Sequence, residues 1–158
     1  MSEAKTDRRL DVNAAFLKDI KDDNQHLKEL LDRIDPLLKH PTVAANHWAE
    51  IIALMEELRD QLAFHFSLEE AYGYFDSALE TEPLRSAQAE GLRSAHPKLF
   101  AQIRDLADRA GDVPADSETK IQAFINDYAG FFRCFADHEE SELRLILSTL
   151  DDDIGVGD

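Results

Sequence analysis

The stretch IQAFINDYAGFFRCFADHEESELRLILST, residues 121–149, decides the fold. Ile121, Phe124, Tyr128, Phe131, Phe135, His138, Glu142, Leu145 and Thr149 recur in alternating steps of three and four. Side chains at that spacing share one face of an α-helix, and a face this continuous is the seam of a helix packed in a bundle. Most of the seam is large and apolar. Its end is not: His138 and Glu142 hold two successive core positions.

Three further segments carry the same period. From about Val12 to Leu38, Phe16, Ile20, Leu27, Leu30, Leu31, Ile34 and Leu38 mark a helix closed by His40-Pro41, because the residue before a proline disfavours helix. From about Val43 to Leu79, with Thr42 as the expected N-cap, the apolar face is Ile51, Leu54, Met55, Leu58, Leu62, Phe66 and Tyr72. From about Leu84 to Ala110, Pro97 predicts a kink or restart and Gly111 a C-terminal stop. Ser117 opens the fourth helix. Short connections set neighbours antiparallel. The expected fold is all-α, an antiparallel up-down-up-down four-helix bundle over residues 12–150. A flexible N-terminal segment, 1–11, and an acidic flexible tail, 151–158, flank it.

Composition agrees. The 158 residues are 44% hydrophobic, with only 6 Gly and 5 Pro, enough for one core in one domain. The net charge of -16 repels phosphate backbones and anionic bilayers, so neither nucleic acid nor membrane is an expected partner; a protein partner is not specified. The single cysteine, Cys134, forms no internal disulfide and reads as a small, partly buried hydrophobe. No apolar leader or membrane-length stretch occurs, and the expected location is the cytoplasm.

The informative residues are the polar ones on apolar stripes. His65 and Glu69 continue the line Leu58, Leu62 on the second helix, as His138 and Glu142 do on the fourth. Each pair, spaced His-x-x-x-Glu, places one imidazole and one carboxylate on the core face. A buried ionised carboxylate costs several kcal/mol unless paired or bound to a cation. No basic residue falls on these stripes near the pairs. A metal ion would neutralise the acids and take the imidazoles as neutral ligands. His26, beside Leu30 and Ile34, and His96, above Phe100, Ile103 and Ala107, bring the count to one histidine per helix.

One His-x-x-x-Glu pair alone arises freely on solvated faces, and one histidine on a helix is usually an ordinary polar residue. The conjunction carries the reading: His26, His65, Glu69, His96, His138 and Glu142 as metal ligands. His40 and His47 read as surface residues. Glu70, Glu139 and Glu140 read as solvated acids, with one of them available as an extra ligand. Imidazole and carboxylate donors suit iron, manganese and zinc alike.

In this order and spacing the chain resembles the hemerythrin-like family, the HHE cation-binding domain. The resemblance rests on His26 in DNQHLKELL, His65 and Glu69 in HFSLE, His96 in SAHPKLF, and His138 and Glu142 in HEESE. It differs from the ferritin-like pattern of Glu-x-x-His pairs. The resemblance implies two iron ions in a non-haem centre bridged by Glu69 and Glu142. His26 and His65 would bind one iron, and His96 and His138 the other. Oxygen-carrying members have a further histidine four residues after the one matching His96; here that residue is Phe100. The implied function is binding or sensing of dioxygen or iron. The alternative is an enzyme that turns over dioxygen or peroxide at the same centre. A structural bundle holding zinc or no metal is the third reading.

Overall fold

A computed structural model of the chain describes residues 2–71 and 83–156. It is helical apart from short connections, with no strand among the described residues. The helices are α1 (Ser2–Leu37), α2 (Pro41–Asn46), α3 (Trp48–Ala71), α4 (Pro83–Ala110) and α5 (Glu118–Val156). Tyr72 and the run to Leu79 lie outside the described residues, as do the side chains of Phe16 and Thr149.

The long helices pack in chain order: α1 on α3, α3 on α4, and α4 on α5, with α2 against α5 and α3. Their shared interior is the stripe set expected from the period. Leu30, Ile34, Ile51, Leu54, Met55, Leu58, Leu62, Ile103, Ile121 and Phe124 are fully enclosed. Burying such side chains contributes about 1.5–3 kcal/mol each and drives the assembly.

Several boundaries differ from expectation. α1 begins at Ser2 and α5 runs to Val156, beyond the predicted ends at Val12 and Leu150. The second segment is two helices, broken at His47, whose backbone leaves helical geometry at φ -121°, ψ 23°. The break turns the Trp48 indole into the core, where it donates a 2.9 Å hydrogen bond to the Ala110 carbonyl. That carbonyl, at the end of α4 where no intrahelical partner follows, thereby gains a shorter bond beside the 3.4 Å one from the Val113 amide. The same ring packs edge-on against Phe124, with centroids 5.2 Å apart, so Trp48 ties three helices together at one end of the bundle.

The N-cap of α2 is His40, not Thr42, because Pro41 occupies the first helical turn and has no N–H to satisfy. Ser117 caps α5 as expected, its hydroxyl accepting from the Lys120 amide at 3.4 Å. After α4 the chain turns through bonds from Asp112 to Arg109 and from Val113 to Ala110. Gly111 does not adopt a left-handed φ there. Pro97 lies within α4 without ending it. Cys134 is exposed, not partly buried. His40 and His47 are exposed, as read from the sequence.

Candidate metal centre

At the end of the bundle away from Trp48, the core changes character. The buried polar residues are Asp23, His65, Glu69, His96, His138 and Glu142, each no more than 7% exposed. Five of them are residues that the stripe argument selected. Helical spacing stacks His65 below Glu69 on α3 and His138 below Glu142 on α5, and α4 brings His96 between them. Phe66 forms the floor: its ring stacks on His96 at 4.5 Å and meets His65 and His138 edge-on. Phe135 closes the side next to His65. These rings keep water out and strengthen every charge interaction within the cluster.

His26 is the exception. It lies on the exposed face of α1, and the residue that α1 sends to the cluster is Asp23. The buried seam of α1 runs Asp23, Leu27, Leu30, Ile34, in steps of four, three and four. His26 lies to one side of that seam, about 60° around the helix from Asp23 and about 100° from Leu27. The spacing of Asp23 from Leu27 was the available signal.

Glu69 is the hub. Its Oε1 lies 2.5 Å from His65 Nε2 and its Oε2 lies 3.1 Å from His96 Nε2. Two groups of potential ligand atoms, each within 4.8 Å of one another, share this side chain. One is Glu69, His96, His138 and Glu142; the other is His65, Glu69 and Glu139. Glu139, one of the neighbouring acids, joins the cluster, its Oε1 2.8 Å from His65 Nε2. It precedes the seam residue Glu142 by three positions and follows His138 directly. Its side chain remains 31% exposed, which is why the apolar period gave no sign of it. Glu70, also read as solvated, accepts from His96 Nδ1 at 3.2 Å.

The electrostatics are those of a site built for cations. Burial disfavours the charged form of His65, but hydrogen bonds to Asp23, Glu139 and Glu69 outweigh it and raise its pKa to about 12. Burial likewise opposes charge on His96, and Glu142, Glu69 and Glu70 raise it to about 10. Burial pushes the Glu69 carboxyl up. Burial would do the same to Glu142, but His138 and His96 hold it down at about 2. Without a metal, protons on imidazoles are the countercharge that the described residues offer to Asp23, Glu69, Glu139 and Glu142.

That compensation is incomplete. Glu69 Oε2 and His138 Nε2 are buried and make no hydrogen bond. The Nε2–H of His96 is directed to Glu142 Oε1 at 2.9 Å, leaving Glu69 Oε2 beside it unserved. His138 Nε2 adjoins Glu142 Oε1 without a hydrogen bond between them. An unsatisfied buried polar atom costs about 1–3 kcal/mol. A carboxylate oxygen and an imidazole nitrogen are both metal donors, so the orphaned pair fits a bound cation.

Two cavities flank the cluster. One, of about 340 Å³, is lined by Ile20, Asn24, Leu68, Glu140 and Leu143 together with the acids and His65. The other, of about 220 Å³, touches His96 through Ala63, Phe66, Pro97 and Phe100. Phe100 is partly buried and packs against the apolar core, one turn beyond His96.

An all-α bundle with a buried imidazole–carboxylate site defines the class: a helical cation-binding domain. The particular family follows from comparison with known sequences. The family model described as the hemerythrin HHE cation binding domain matches residues 15–150, and the chain belongs to that family. No curated protein and no solved structure matches it significantly. Among the described residues no helix is long and apolar enough to cross a membrane.

Proposed function

We propose that this chain is a non-haem di-iron protein that binds dioxygen or a related small oxygen species at a carboxylate-bridged centre. The observation that carries the proposal is the placement of Glu69, whose two oxygens face different imidazoles and which belongs to two groups of potential ligands at once. Bound iron would supply one-electron redox chemistry toward dioxygen or peroxide, which the protein's side chains lack. Manganese and zinc fit the same donors; iron is the reading that family membership favours.

The chain's own residues divide the work. Glu69, His96, His138 and Glu142 enclose one position with four side chains. His65, Glu69 and Glu139 offer three at the other, beside the 340 Å³ cavity. An unfilled coordination position next to a cavity is where a small ligand binds. Phe66 and Phe135 keep the interior dry, and the half-exposed Glu139 stands at the cavity.

A second reading, turnover of dioxygen or peroxide, is favoured by the same cavity together with Phe100, which places no further nitrogen next to His96. Anaerobic loading with ferrous iron, followed by exposure to oxygen, tests both. Two irons per chain and oxo-bridge absorption are expected. One iron, or none, removes the bridged centre. Peroxide consumption beside oxygen-difference spectra then separates binding from turnover, with catalytic consumption deciding for the enzyme.

A further inference from the structure

Among the described residues, Asp23 is the buried acid of the cluster that belongs to neither ligand group. Its carboxylate is 4% exposed, on α1, and both of its oxygens are engaged by α3. Oδ1 accepts from Gln61 Nε2 at 2.6 Å, and Oδ2 accepts from His65 Nδ1 at 2.5 Å. Gln61, His65 and Glu69 follow one another at four-residue intervals, so they are stacked along one face of α3. The order of contact is Gln61 to Asp23, Asp23 to His65, and His65 to Glu69 and Glu139.

An imidazole has two nitrogens, and the bond made by one fixes the role of the other. With Nδ1–H held by Asp23, His65 presents only Nε2 to Glu69 and Glu139. With Gln61 on Oδ1, both Asp23 oxygens are engaged and the carboxylate is held in one orientation.

We propose that Asp23, held by Gln61, is a positioning residue that locks the His65 ring and leaves Nε2 as its only metal-binding atom, so that α1 serves the centre by orientation and supplies no ligand. The inference rests on the cation-binding reading above. It assigns to the His65 position three protein ligands, all from α3 and α5, and makes the strength of that position depend on a bond from α1.

The test uses the full-length protein with zinc as a diamagnetic probe. Zinc affinity is read by calorimetry, and the His65 ring protons by long-range proton–nitrogen NMR. Wild type should show zinc on His65 Nε2 and a slowly exchanging Nδ1 proton. Asp23→Ala should lose that protection and weaken one zinc step by about 10- to 100-fold, the usual effect of removing such an outer hydrogen bond. The other step should be unchanged. Asp23→Asn, which keeps an oxygen acceptor for Nδ1–H, should recover part of the loss. Gln61→Leu should weaken the same step by less, and carries the test if Asp23→Ala does not fold. Zinc on His65 Nδ1, wild-type affinities in Asp23→Ala, or equal losses at both steps would overturn the proposal. A wild type that takes a single zinc would count against the two-metal reading. In that protein the His65 Nδ1 proton still decides the role of Asp23: protected in wild type and lost in Asp23→Ala supports it, and unprotected in wild type overturns it.

Discussion

Replacing Glu69 with glutamine should change the stability of the protein in opposite directions with and without metal. In the metal-free bundle Glu69 Oε2 is buried without a hydrogen bond, a defect worth about 1–3 kcal/mol. An amide nitrogen in that place can donate to the carboxylate of Glu142, whose pKa of about 2 keeps it ionised. A gain of about 1–2 kcal/mol is expected, which for a domain of this size is roughly 2–8 °C in Tm. Burial raises the Glu69 pKa, so the folded wild type binds more protons than the unfolded chain over that range. Its stability therefore falls as pH climbs from the ordinary carboxylate range toward the raised value. The variant escapes that loss, so its advantage should be present at neutral pH and fade in acid. With metal the order reverses. A ligand at 100 times its Kd stabilises by about 2.7 kcal/mol, and glutamine, a neutral and weaker donor, forfeits that at the position or positions Glu69 serves. Thermal unfolding of chelated and metal-loaded samples of both proteins at several pH values is the assay. A chelated variant less stable than chelated wild type, or a variant with the full metal-induced shift, would refute the reasoning.

Single-site changes should divide the ligands from their neighbours. His138→Ala should remove metal from the position with four side chains, Glu139→Gln should weaken the other, and His26→Ala should leave metal content unchanged, all read by metal analysis after dialysis. Metal uptake should strengthen with rising pH through neutrality, because protons held on His65 up to about 12 and on His96 up to about 10 must leave first. Proton release on zinc binding, measured by calorimetry in buffers of different ionisation enthalpy, checks this, and no release would contradict it. The sign for the metal-free fold is opposite: the stability those two imidazolium ions contribute is complete below their ordinary pKa near 6.5 and is lost as pH rises toward 10–12. Trp48→Phe should cost about 1 kcal/mol by removing the indole hydrogen bond to the Ala110 carbonyl, which keeps only its longer bond from the Val113 amide. It should leave metal affinity untouched, since Trp48 packs at the far end of the core; a lowered metal content would show that the two ends are coupled.

The residues that the sequence alone located are those whose position follows from helical period. His65, Glu69, His138 and Glu142 stand on stripes whose other members are large and apolar, so their burial was implied by their neighbours. His96 was placed by the same logic from Phe100, Ile103 and Ala107, of which Ile103 and Ala107 are buried with it on α4 and Phe100 is partly buried. Asp23 and Glu139 escaped it for different reasons. Asp23 lies at the polar end of its seam, where Asp19, Lys21 and Asp22 surround it in the chain and mask the spacing to Leu27. Glu139 lies off its seam and reaches the cluster from a part-exposed position. Its role depends on the cavity beside it and on His65 across the bundle, not on its own helix.

By itself, then, the sequence determined four long helical segments, the faces they bury, and an imidazole–carboxylate layer within that interior, because periodicity and the cost of burying charge act locally along each helix. Only the tertiary structure decided which group α1 contributes. Asp23 and His26 are three residues apart and about 60° apart around the helix axis. Which one meets His65 depends on how far α1 is rotated when Leu27, Leu30 and Ile34 seat against α3. That rotation is set by packing between helices, and no pattern within α1 encodes it. The sharing of Glu69 between two ligand groups was decided in the same way, since it requires His65 from its own helix and His96 from the next to approach opposite oxygens of one carboxylate.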